Sequence, residues 1–208
     1  PTQVSATRAV RRDFAATHAE GVFINGPKIA GVAEQVSDIR ARAAAKGRDP
    51  RSLRFFAGAS IIVGETEAQV EALKRDYQRY SSVEGMLAQI SAALGIDLSE
   101  YPLDEPIRYR ETDAARSQLE IMTRKGQMTI RQMAESMILS GRNVTLFGTA
   151  PQIADTMAQW VAEADVDGFN VSRIVAHETM EAVVDLLIPE LQQRGMFKTD
   201  YAPGTLRD

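Results

Sequence analysis

Apolar residues recur along this chain in two rhythms, and the alternation between them is the main architectural signal. Residues 55–63 form a near-continuous apolar run, as expected of a strand buried on both faces of a parallel sheet. Shorter stretches at 2–5, 21–24 and 167–174 read as further strands, the second ended by the turn Asn25-Gly26-Pro27. Between them the spacing turns helical. Val10, Phe14 and Ala15 mark one face of a helix over 8–19. Ile29, Val32, Ala33, Val36, Ile39 and Ala43 mark another over 29–46, stopped by Gly47. Glu65 and Glu67 open a third, placing negative charge at the positive end of its dipole. Late in the chain Thr149 and Gln152 make a capping-box pattern ahead of a helix whose apolar face ends at Trp160 and Val161. A last helix, 180–193, turns Val183, Leu186, Leu187 and Leu191 inward, with Gly195 at its end.

Four strand candidates alternating with helices make this an α/β protein, and four is half of the eight strands that close a TIM (β/α)8 barrel. Residues 81–142 break the rhythm with a Met/Leu/Ile helix, a polar loop and a long helical stretch from about 114 to 139. A helical excursion of this length serves as a lid or an interface. The organisation expected is barrel βα units over 1–80, a helical insertion over 81–142, the final βα unit over 143–195 and a tail over 196–208. In that tail Tyr201 and Leu206 are expected to pack back on the barrel. A half-sheet leaves an unpaired edge and uncovered apolar surface, so it calls for a complementary half-barrel.

Composition narrows the chemistry. A net charge of −4 over 208 residues disfavours a nucleic-acid partner. Zero cysteines excludes disulfides, thiolate zinc sites and a cysteine nucleophile. No apolar run reaches membrane-span length and no leader pattern precedes the first helix, so a cytoplasmic protein is the default expectation. Asn143-Val144-Thr145 and Asn170-Val171-Ser172 match the glycosylation acceptor pattern, which without secretion is chance. Neither a glycine-rich phosphate loop, nor HExxH, nor Gly-x-Ser-x-Gly occurs. The two histidines read as a structural residue bonded to a backbone carbonyl (His18) and a surface cap beyond the last strand (His177). Asp104 and Glu105 form a solvated carboxylate pair, and the methionines of the insertion are packing residues. So sparse a set of acids and bases suits an enzyme whose cofactor carries the hard step.

The residues that sharpen this are Gln3-Val4-Ser5-Ala6-Thr7 followed by Arg11-Arg12-Asp13-Phe14-Ala15-Ala16-Thr17-His18-Ala19-Glu20. They resemble the strand Gln-Ala-Gly-x-Ser and helix Gly-Arg-x-Phe-Ala-Ala-x-His-Ala-Glu of the flavin-dependent monooxygenases similar to bacterial luciferase. The nearest branch is that of nitrilotriacetate, dibenzothiophene-sulfone and long-chain-alkane monooxygenases. Gly47-Arg48-Asp49-Pro50, residues 98–104, Gly148-Thr149, Asp167-Gly168-Phe169-Asn170 and Pro189-Glu190-Leu191 extend the resemblance, in order, along the chain.

The resemblance implies the C-terminal half of a TIM (β/α)8 barrel with a helical insertion. It implies reduced FMN supplied by a separate NADH-dependent flavin reductase, dioxygen as oxidant, and a small organic substrate oxygenated, often with C–S or C–N cleavage. Gln3, Ser5, Ala6, Thr7 and Arg8 would hold the FMN phosphate, with no metal. The partners implied are the N-terminal half of the same barrel, the reductase and a further copy of the chain in a homo-oligomer, and neither nucleic acid nor membrane. The turn departs from the family: Ser5 stands for the glycine, Thr7 for the serine, and one extra residue precedes the helix. That departure keeps open a non-catalytic relative with lost or altered flavin binding, and a related barrel enzyme using a deazaflavin is a third reading.

Overall fold

The computed structural model describes residues 2–5, 9–95, 97–105, 128–139, 141, 143–201 and 203–204. They divide into two compact units, one formed by Pro1–Lys74 with Arg142–Asp208 and the other by Arg75–Gly141.

The first unit is an α/β layer. Its parallel strands are β1 (Gln3–Ser5), β2 (Gly21–Ile24), β3 (Arg54–Gly64), β4 (Val144–Thr149) and β5 (Gly168–Ser172). One more strand is present than the apolar pattern suggested, because β4 was hidden behind the helix that it feeds. β3 is the organising element. Residues 54–57 pair with β2, residues 59–64 with β4, and residues 56–60 with β5. A strand has two edges, and β5 overlaps the registers of both other partners. β2 and β4 therefore lie end to end along one edge of β3, and β5 takes the opposite edge.

Alternation along the strands assigns two faces. Val22, Ile24, Phe55, Ala57, Ala59, Ile61, Val63, Val144 and Leu146 are buried, and Val4, Phe169 and Val171 pack against them. This face is covered by helices: α1 (Ala9–His18), α2 (Ile29–Ala45), α6 (Ala150–Ala164), and a last helix running from α7 (Glu178–Ala182) through a π-helical turn (Val183–Leu187) into α8 (Ile188–Gln193). Small residues let α1 approach closely: Ala15, Ala16 and Ala19 are wholly buried, while Phe14, grouped with the apolar face from its spacing, is 51% exposed. Each large apolar side chain buried here stabilises the fold by about 1.5–3 kcal/mol. The boundaries follow local chemistry. Gly47 and Gly195 take positive φ at helix ends. Thr149 N and Oγ1 both donate to Gln152 Oε1, at 2.9 and 3.1 Å, completing the capping pattern. In the tail, Tyr201 is 79% exposed, with Lys198 over its ring, so it does not pack back on the sheet. Leu206 lies outside the described residues.

The second unit is helical. It takes in the end of α3 (Glu67–Arg79), then α4 (Val83–Leu94), a short 3-10 turn (Leu98–Glu100) and α5 (Ile130–Met137). Leu87, Ile90, Leu98, Ile130, Met133 and Ala134 form its core, with Met86 and Met137 against it. Methionine acts here as adaptable filler. Ser82 caps α4 by accepting from Gly85 N, and Thr129 with Gln132 forms a capping box on α5. Most of the long helix expected over about 114–139 falls outside the described residues, as does Met122.

Candidate functional site

The sheet face turned away from the helices carries a different set of residues. Gln3 on β1, Gly21 and Phe23 on β2, Phe56, Gly58, Ser60 and Ile62 on β3, and Gly168, Asn170 and Ser172 on β5 all belong to it by alternation. Phe23 and Phe56 are only partly buried, with ring centroids 5.8 Å apart. Gly21 and Gly168 leave room for the Phe56 ring: a Cβ on either would lie 3.4–3.6 Å from it. One pleat further along, toward the carboxyl ends of the strands, the face becomes polar.

Gly58 stands at the join where β2 ends and β4 begins. A Cβ there would meet Asn25 Oδ1 at 2.5 Å and Asn143 Oδ1 at 2.6 Å. Only a residue without a side chain leaves both carboxamides where they converge over the backbone. Asn143 is anchored by its other end, its Nδ2 donating to Ser60 Oγ at 3.3 Å and to Ser172 Oγ at 3.1 Å. Ser60 is buried, whereas Asn25 and Asn170 are exposed. The cluster lies at the carboxyl ends of β2 and β5 and midway along β3, on the side toward which α/β folds place ligands.

The residues named from the sequence fall around this cluster unevenly. Gln3 is exposed on β1, and Ser5 ends that strand, paired with Phe23. Ala6, Thr7 and Arg8 lie outside the described residues. His18, expected as a structural histidine bonded to a backbone carbonyl, is exposed on α1 with its ring 4.9 Å from that of Phe14. His177 does open the last helix, and it does so under strain. Its φ of 64° and ψ of −68° form a γ-turn, closed by Glu178 N donating to Ala176 O at 3.0 Å. Asp104 belongs to the helical unit, where Arg131 grips it through two hydrogen bonds and holds its carboxyl below the usual range. Among the described residues no cluster of three or more His, Asp or Glu could hold a metal ion. None of their helices is long and apolar enough to cross a membrane.

Asn25, Gly58 and Asn143 were not singled out as site residues from the sequence. The tract Asn25-Gly26-Pro27 read only as a turn, and Asn143 only as part of a chance glycosylation pattern. The available signal was a polar residue directly flanking an apolar strand.

Comparison with known proteins agrees with the architecture. The family model described as luciferase-like monooxygenase matches residues 1–168. The chain is 34% identical over 197 residues to dimethyl-sulfide monooxygenase of Hyphomicrobium sulfonivorans, covering 93% of this chain and 41% of that protein. It is 35% identical over 199 residues to long-chain alkane monooxygenase of Geobacillus thermodenitrificans, covering 95% and 41%. Nitrilotriacetate monooxygenase component A of Aminobacter aminovorans is 33% identical over 203 residues, covering 95% and 45%. Among solved structures, DmoA from H. sulfonivorans superposes with a TM-score of 0.86 at 33% identity, over 99% of this chain and 44% of that one. A riboflavin lyase solved with modified FMN and riboflavin superposes at 0.82 with 26% identity, over 99% and 45%. The chain spans less than half the length of these relatives. With a parallel α/β sheet matching theirs, and a family match over most of its length, the chain belongs to the luciferase-like monooxygenases.

Proposed function

We propose that this chain is the carboxyl-terminal part of a reduced-FMN-dependent monooxygenase, completed into a closed barrel by an amino-terminal half. The observation that carries the reading is the half-open sheet face, aromatic below and polar above, on a fold 33% identical to DmoA with a TM-score of 0.86. β1 and β5 each pair on one edge only among the described residues, which leaves edges for further strands. The fit of a flavin is supported by the Gly58 cradle, which has neutral acceptors and donors but no fixed charge, and by the flat Phe23–Phe56 layer beneath it.

Bound reduced flavin would supply the two electrons that activate dioxygen, which explains how the site works with so few acids and bases. This chain's part is to bind and orient. Gln3 and Ser5 of β1, with Ala6, Thr7 and Arg8 between β1 and α1 in the sequence, would take the phosphate through hydroxyls, backbone amides, the helix amino terminus and the Arg8 cation. The interior carboxamides and hydroxyls would orient the ligand over an apolar floor that keeps water out. A separate flavin reductase as partner is supported by one relative being the component A of a nitrilotriacetate monooxygenase. Assembly into a homo-oligomer belongs to the same proposal, and the substrate is a small organic molecule.

The test is a fluorescence titration with FMN of the longest natural polypeptide carrying this chain. Losing one hydrogen bond to a charged phosphate is worth about 1.5–3 kcal/mol, so Thr7→Ala should raise the Kd roughly tenfold or more. A Thr7→Ala protein that binds FMN as tightly as wild type removes the phosphate assignment.

A further inference from the structure

We propose that Asn25 and Asn143 form an acceptor pair for the imide N–H edge of a flavin ring, with Gly58 as the bare floor between them. The inference deepens the flavin reading above and rests on it. Its evidence is geometric. Both Oδ1 atoms lie within 2.6 Å of the single point where a Gly58 Cβ would stand, so two acceptors converge on one place. Convergent acceptors repel each other unless a donor lies between them, and an imide N–H is such a donor.

Asn143 is oriented with its Nδ2 donating to Ser60 Oγ and Ser172 Oγ, which turns its Oδ1 toward Gly58. Asn25 is not committed in this way. Its Nδ2 is free to turn toward one of the carbonyls that flank an imide N–H, which gives the complementary half of the recognition.

Placement agrees with the size of the ligand. Gly58 on β3 is two strands from β1, about 10 Å at ordinary strand spacing. A phosphate held beyond Ser5 and a ring over β3 are therefore separated by a span that a ribityl chain bridges. The register supports this layout, since Ser5 pairs with Phe23 and Phe23 with Phe56, one pleat below Gly58. The partly exposed Phe23 and Phe56 rings then close the site under the ligand. Neither Asn25 nor Asn143 carries charge, so the pair selects for a neutral donor edge and against an anionic one.

The experiment compares FMN with 3-methyl-FMN, in which the imide N–H is replaced by N–CH3. Both are titrated by fluorescence into wild type, Asn25→Ala and Asn143→Ala of the longest natural polypeptide carrying this chain. Wild type is expected to bind FMN at least about tenfold more tightly than 3-methyl-FMN, the loss of one well-made hydrogen bond together with the clash of the methyl group. Each variant should weaken FMN alone and bring the ratio of the two dissociation constants toward one. Asn25 is exposed, so its replacement leaves folding intact even if Asn143→Ala does not. Variants that keep the wild-type ratio, or a wild type that does not distinguish the two flavins, overturn the proposal while leaving the flavin reading standing. A wild type that binds neither flavin overturns both.

Discussion

The two ends of the parallel sheet are built on opposite principles. At the amino-terminal ends of β3 and β5, charge is dense and fully engaged. Arg40 Nε donates to Asp165 Oδ2 at 2.7 Å, Arg40 Nη1 reaches the carbonyls of Pro50 and Leu53, and its guanidinium lies 4.6 Å over the Phe55 ring. Arg51 bonds Asp165 and Arg54 bonds Asp167, while Phe55 N donates to Asp167 Oδ2. Around Gly58, on the inner face of the sheet, the groups are instead neutral, fewer and partly committed, and beyond β5 the backbone at His177 is strained. One end spends its polar groups on holding strands together; the other keeps them available. Closed βα barrels divide a stability face from a reactive face in this way, and the proposed half-barrel would share that division.

Three substitutions would break or sharpen this contrast. The largest effect belongs to Arg40→Ala. Its side chain is only 11% exposed, and removing it takes a donor from the Pro50 and Leu53 carbonyls, one of two arginines from Asp165 and the cation from over the Phe55 ring. Urea unfolding should show a loss of about 3 kcal/mol, with the FMN dissociation constant unchanged. A shifted flavin affinity at equal foldedness would mean that the two ends are coupled. Next is His177→Gly. A γ-turn at positive φ costs a non-glycine residue about 1–3 kcal/mol, and glycine's extra chain entropy offsets about 0.5–1 of that. The variant should gain about 1 kcal/mol in the same assay, and a loss instead would show the histidine side chain to be holding the turn.

The smallest effect is at Asp38 on α2. Burial alone would push its carboxyl up, but hydrogen bonds from Arg12 and Arg42 outweigh it and hold the pKa below the usual range. A depressed folded-state pKa gives stability that is present above the unfolded value, about 3.9, and lost as pH falls through the folded one. Asp38→Asn should therefore be the less stable protein at pH 7, and its deficit should shrink below about pH 4. A deficit independent of pH would assign the loss to packing.

Much of the fold was legible because burial and periodicity coincide. β3 lies under helices on one side and under neighbouring strands on both edges, so its run of apolar residues had one reading. β4 was missed for a local reason: Gly148 and Thr149 end the strand and begin the α6 capping box, and the capping signal masked the strand. Phe14 was placed on the buried face because spacing cannot tell an aromatic that packs inward from one that rests on a neighbouring histidine at the surface. The site was legible only at its edge, through the contiguous tract at Gln3 and Ser5. Asn25, Gly58 and Asn143 are separated by 33 and 85 positions and meet only through strand pairing, so no local window could join them.

The three-way sharing of β3 also sets the order in which the molecule can be completed as it leaves the ribosome. β3 ends at Gly64, but β5, which covers its second edge, starts at Gly168. About a hundred residues must be synthesised in between, roughly 5 to 20 seconds at ordinary elongation rates. Throughout that interval the second edge of this largely apolar eleven-residue strand is open, and until β4 is made so is its first edge at residues 59–64. Until β5 is made, that edge can pair with other strands, so aggregation during synthesis is the hazard this topology carries.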